Sequence, residues 1–128
     1  MEPPLSRRPL PHRSDLPVPD RAAIATPIYE IKAELFKALG HPVRIRTLEL
    51  LAEADRPVSA LLTDIGIEAS HLSQHLGVLR RAGVVTKSRR GNVVTYTLAD
   101  PSVAQMLAAA RTFLLHRLDQ ARGALAEL

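Results

Sequence analysis

The apolar pattern of this chain changes period at one place, and that change limits the folds open to it. From Ile28 to Ala82 apolar side chains recur every three or four residues. From Val84 to Leu98 they alternate, and after Pro101 the helical spacing returns. Such an order predicts a mainly α (α+β) domain in which one β-hairpin precedes the final helix. Ile28, Ile31, Leu35, Ala38 and Leu39 mark a first helix that Gly40 stops. Pro42 suits the first turn of a second helix, with His41 at the junction; Ile45, Leu48 and Leu51 or Ala52 form its stripe, which ends before Asp55–Pro57. Val58 to Ile65 reads as a short third helix with Leu61 and Leu62 inward and Gly66 as its stop. A fourth runs from about Ala69 to Ala82 on Leu72, Leu76 and Leu79, with Gly83 closing it.

In the alternating region, Val84–Ser88 and Val93–Leu98 are rich in Val and Thr, and Arg89-Arg90-Gly91-Asn92 separates them. Val94, Tyr96 and Leu98 fall on one face, expected to be the core face. The last helix opens with Asp100 or Ser102 as cap and Pro101 in its first turn. Its seam is Val103, Leu107, Ala110, Leu114, Leu118 or Ala121, and Leu125, close to a 3.5-residue repeat. The expected order is therefore ααααββα, five helices and a two-stranded hairpin, over residues 28–128. Seven of the ten prolines lie in residues 1–27, which predicts a flexible, partly polyproline-like tail there.

Composition removes several functions. The chain has no cysteine, which excludes disulfides, thiolate metal sites and Cys nucleophiles. No apolar run approaches the ~18 residues of a membrane span, and residues 1–20 lack the apolar stretch of a signal peptide, so a cytoplasmic location is expected. Tyr29, Phe36, Tyr96 and Phe113 are the only aromatics, too few for a platform that stacks single-stranded bases. Paired catalytic carboxylates, a nucleophilic Ser context and a glycine-rich phosphate loop are all missing, so no enzyme and no cofactor is expected.

The charge is placed unevenly. Residues 69–99 hold Arg80, Arg81, Lys87, Arg89 and Arg90 and no acidic residue, a local +5 in a chain whose net charge is +4. A field of that sign attracts a polyanion. The short third helix, the turn at Gly66 and the fourth helix make a helix-turn-helix. The fourth helix offers Ser70, His71, Ser73, Gln74 and His75, short or amide side chains suited to base edges, with Arg80 and Arg81 near its end. Lys87, Arg89 and Arg90 on the hairpin would reach the flanking backbone as a wing does. Double-stranded DNA is the expected partner, and the ten candidate DNA-binding residues are those just named.

The stretches "LFKALGHPVRIRTLELL" (35–51), "SHLSQHLGVLRRAGVV" (70–85) and "RRGNVVTYTL" (89–98) resemble the ArsR/SmtB type of bacterial winged-helix repressors. The likeness runs over about residues 28–118. It implies a winged helix-turn-helix, a homodimer built on the first and last helices, and repression by occupying an operator. The dimer-interface residues would be Ile28, Ile31, Leu35, Val103, Leu107, Ala110, Leu114 and Leu118. The resemblance fails at the sensor. Where metal-sensing members carry a Cys-x-Cys motif this chain reads Ser59-Ala60-Leu61-Leu62-Thr63-Asp64. On the last helix His116 and Asp119 preserve one half of a zinc site, while Val103-Ala104-Gln105 stands where the other half belongs. Zinc asks for four ligands, so no metal is expected and the effector stays open. The alternative reading is a winged-helix interaction module without DNA binding. His41 and Arg44, in the "HPVR" run, are expected to be structural.

Overall fold

The computed structural model describes residues 25–127. The expected tail lies outside them except for its last three residues. The described residues belong to two compact units that divide within the first helix, after Ala33. The elements run α1 (Ile28–Leu39), α2 (Pro42–Glu53), β1 (Arg56–Pro57), α3 (Val58–Ile65), α4 (Ala69–Arg81), β2 (Val85–Arg90), β3 (Val93–Leu98) and α5 (Pro101–Ala126). No described helix is long and apolar enough to cross a membrane.

Each boundary has a local cause. The imidazole Nδ1 of His41 accepts from the Val43 N–H at 3.1 Å and caps α2, whose first residue is Pro42. Gly66 ends α3 in the left-handed region, φ +77°, and its N–H returns to the Leu62 carbonyl at 2.8 Å. Of the two caps open for α5, Asp100 serves: its Oδ1 accepts from the Ser102 N–H at 2.8 Å. That bond holds the Asp100 carboxyl below its ordinary value.

The core joins the helices to the hairpin. Leu48, Leu61, Leu72 and Leu79 are fully buried and pack with Leu50, Leu51, Leu76, Val84, Val85 and Tyr96. Val94 and Leu98 flank Tyr96 on the same face and pack against that cluster, as alternation predicts. Thr47 is buried among them because its hydroxyl donates to the Val43 carbonyl at 2.7 Å.

The structure corrects the hairpin in two ways. The sheet has three antiparallel strands, ordered β1-β3-β2, with Arg56 opposite Tyr96 and Pro57 opposite Thr95. Two residues are too few to show alternation, so β1 left no periodic signal. Pro57 has no N–H to donate, which suits an edge strand. In addition, β2 continues through Arg90, so the turn is only Gly91-Asn92. Gly91 supplies φ +60° at the first turn position, as a tight hairpin requires.

Leu72 anchors α4 to the core and is fully buried. Leu72→Ala is expected to destabilise the fold by about 2–5 kcal/mol, read as a lower urea midpoint, with Leu72→Met costing less than about 1.5 kcal/mol.

Candidate nucleic-acid interface

Helix α4 is held on one side and free on the other. Leu72, Leu76 and Leu79 are buried, which sets the rotation of the helix. Ser70, Gln74, Gly77 and Arg81 then line the opposite ridge by helical spacing. Of these Ser70, Gln74 and Arg81 are exposed. Ser73 and Arg80 sit on the flank facing the hairpin, with Lys87 and Tyr96 across a shared cleft. His71 is exposed as well, with Nε2 3.8 Å from the Glu68 carboxylate.

The wing places its cations on two faces. Lys87 pairs across the ladder with Tyr96, and Arg89 with Val94, so both lie on the face that carries the core contacts further in. Arg90, opposite Val93, lies on the other face. All three are exposed. A row of +1 charges on both faces of a narrow hairpin suits a ribbon lying between two phosphate strands.

Nine of the ten expected DNA-binding residues are exposed on α4 or the wing. His75 is the exception. It is half-buried, its ring centroid is 4.2 Å from that of His41, and its Nδ1 is 3.2 Å from Arg44 Nη1. Arg44 also donates from Nε to the Ala38 carbonyl at 2.6 Å and from Nη2 to the Lys37 carbonyl at 3.4 Å. One guanidinium therefore meets the orphan carbonyls at the end of α1 and the inner flank of α4. This is the structural role expected of Arg44, and His75 belongs to that junction and not to the outer ridge. Partial burial first, then His41, Arg44 and His71, lower the His75 pKa below 6.5.

The expected interface residues also separate. Val103 is 4% exposed and belongs to the protomer's core, which corrects its assignment. Leu35 and Leu107 pack partly against the core, while Ile28, Ile31, Ala110, Leu114 and Leu118 are exposed. Phe113, Leu115 and Leu125 are exposed too. His116 and Asp119 are exposed, and among the described residues no group of three or more His, Asp or Glu is placed to hold a metal ion.

Residues 41–87 match the model of the bacterial regulatory protein arsR family. The chain is 53% identical over 103 residues to the uncharacterized HTH-type transcriptional regulator Rv0081 of Mycobacterium tuberculosis, covering 80% of this chain and 90% of that one. This chain belongs to the ArsR family of transcriptional regulators. The crystal structure of Rv0081 superposes with a TM-score of 0.70 at 54% identity, over 76% of this chain and 98% of that one. The homodimeric winged helix-turn-helix DNA-binding domain Mb0332 of Mycobacterium bovis gives a TM-score of 0.68 at 30% identity, over 79% and 91% of the two chains. The biofilm growth-associated repressor of Xylella fastidiosa is 38% identical over 89 residues, 70% of this chain and 78% of that one. The ArsR-family fold, a winged helix-turn-helix, is thus the one read from the sequence, with β1 added.

Sequence reasoning missed Gly77 and the core residue Tyr96 as parts of the cleft between α4 and the wing. Gly77 sits one turn beyond Ser73, a spacing that placed it beside the polar ridge, but a side chain that is absent gives no polar signal.

The depressed His75 pKa has a pH consequence. Below 6.5 the unfolded chain takes up this proton more readily than the folded one, so stability falls as pH drops from about 6.5 to the lowered folded value. It is intact above 6.5. Urea titrations from pH 7.5 to 5 should show this loss, and His75→Gln should flatten it; an unchanged slope would remove His75 as the cause.

Proposed function

We propose that this ArsR-family protein is a homodimeric repressor that occupies an inverted-repeat operator in double-stranded DNA. The observation that supports it most is the pairing of a short polar ridge on α4, Ser70 and Gln74, with a cationic wing beyond its end. Ser and Gln side chains match the donor and acceptor groups of the major groove, Gln most of all at adenine. Arg80, Arg81, Lys87, Arg89 and Arg90 would carry the sequence-independent attraction to phosphates.

The exposed apolar side chains support the dimer. From Ala108 onward every described residue of α5 is exposed, including Phe113, Leu114, Leu115, Leu118 and Leu125. A helix of that length gains most of its stability from packing its apolar face. A second copy of the same helix offers a matching seam, and a two-fold axis makes the patch self-complementary. The homodimeric Mb0332 supports the same reading, and the Xylella repressor supports repression as the outcome. Two recognition helices related by that axis would read half-sites about 10 base pairs apart.

Gln74→Ala is expected to cost about 1–3 kcal/mol on the operator and to relax preference at one base position, measured by binding to a library of randomised half-sites. Arg90→Ala should weaken all sequences alike and reduce the salt slope by about one. If a gel shift on the DNA upstream of its own gene shows no salt-dependent binding, the protein is an interaction module instead. A charge in the seam, Leu114→Arg, should yield monomers in sedimentation velocity and a large loss of operator affinity, since each half-site is then bound alone.

A further inference from the structure

The cleft between α4 and the wing is lined by Ser73, Gly77, Arg80, Arg81, Lys87 and Tyr96 and encloses about 290 Å³. It holds three cations, two hydroxyl-bearing side chains and no carboxylate. Gly77 forms part of its wall in a specific way. A Cβ built on Gly77 would lie 3.2 Å from Arg81 Nη1 and 3.9 Å from Arg81 Cζ and Nη2. The guanidinium of Arg81 is therefore folded back along its own helix over the bare Cα, one turn earlier. Gly77 has an ordinary helical backbone, since only Gly66, Gly83 and Gly91 have positive φ. Its lack of a side chain costs helix stability and serves no turn. What it provides is room for Arg81.

We propose that this cleft is the seat of one DNA backbone phosphate, and that Gly77 is a positioning residue that keeps the Arg81 guanidinium inside it. The proposal rests on the DNA-binding reading above. An α-helix with side chains is about 10–12 Å across and the major groove about 12 Å wide, so a helix that lays its ridge on base edges has its flanks against the phosphates. The cleft is on the flank beside the Ser70–Gln74 ridge. A planar guanidinium can meet two phosphate oxygens at once, Lys87 adds a point charge, and the Ser73 hydroxyl adds a neutral donor. Lys87 is held over the cleft by its cross-strand pairing with the buried Tyr96. Helix and wing then grip one phosphate jointly, which fixes their common register on the duplex. Ser73, expected to read bases, becomes a backbone contact.

The test is fluorescence anisotropy with the full chain on a 30-base-pair duplex from upstream of its own gene and on a random duplex of equal length, each across a salt series. Arg81→Gln is expected to lower the slope of log K against log salt by about 0.9 on both duplexes, one phosphate contact. Gly77→Ala is expected to raise the melting temperature, because alanine favours the helix, yet to weaken binding by about threefold on both duplexes. In the Arg81→Gln background the same Gly77→Ala change should cost nothing. An unchanged slope in Arg81→Gln overturns the seat. An equal loss from Gly77→Ala in both backgrounds overturns the positioning role, since the new methyl then obstructs the DNA itself. Calorimetric titration with inorganic phosphate alone should show no binding at millimolar concentration. Binding there that Arg81→Gln abolishes would assign the cleft to a free anion and overturn the DNA assignment. Wild-type protein that binds neither duplex refutes the DNA-binding reading, a result separate from all of these.

Discussion

One guanidinium ties α4 to the end of α1. Arg44 donates to two carbonyls at the end of α1 and stands 3.2 Å from His75 of α4. A cation at a helix C-terminus is favoured by the helix dipole, and here it also satisfies carbonyls that the helix cannot pair itself. Partial burial, and then the charges of His41 and Arg44, make protonation of His75 unfavourable, and His41 accepts the Val43 N–H through Nδ1 to cap α2. A cationic residue and two imidazoles thus share one small space, and among the described residues no carboxylate is bonded to them. Arg44 Nη1 can donate to His75 Nδ1, and that contact sets the His75 ring against the guanidinium. With Leu72, Leu76 and Leu79 in the core, the outer ridge is then presented at one angle.

The wing depends on the sheet in a comparable way. A two-stranded hairpin alone is marginal in water. Adding Arg56–Pro57 beside β3 and seating Tyr96 in the core holds the base of the hairpin while its far end stays exposed. Arg56 itself is tied by ion pairs to Glu53 at 2.9 Å and to Asp64 at 3.9 Å, linking the end of α2 to α3. These pairs are partly exposed and worth little energy each, so their role is to orient β1. The rigid base and two-residue turn make the alternation of Lys87 and Arg89 against Arg90 a fixed property of the wing.

Much of this was legible in the sequence. Glycines and prolines marked the ends of the helices, and the change of period located the hairpin. Legibility failed where a position is decided by residues far away in the chain. Nothing within α4 says that His75 turns inward; the reason is Arg44, 31 residues earlier. Val103 looked like the first step of an interface seam because its spacing continues into Leu107 and Ala110. The start of α5 packs on α2 and β3, and that contact takes Val103 into the core. Arg89 and Arg90 read as one basic tip because a four-residue loop was expected. With a two-residue turn they became strand residues on opposite faces. Gly77 could not be read at all, since its contribution is a space that exists only once Arg81 folds over it.

The two ends of α5 therefore do different work, and the division bears on how DNA affinity arises. Val103, Met106 and Leu107 close the protomer's core, so the first turns of the helix are fixed relative to β3 and, through the shared core, to α4. The remaining turns carry apolar side chains that are exposed among the described residues. A dimer formed on that stretch would join two recognition helices through a continuous helix and not through a flexible linker. The second half-site then binds at an effective concentration set by rigid geometry, which is high for the correct spacing and falls sharply for others. Discrimination between operators would come from spacing as well as from Gln74. In such a dimer, a signal that altered the angle between the two halves would change affinity without touching a single DNA contact. For a chain whose sequence contains no cysteine, such a change of angle requires no thiolate chemistry.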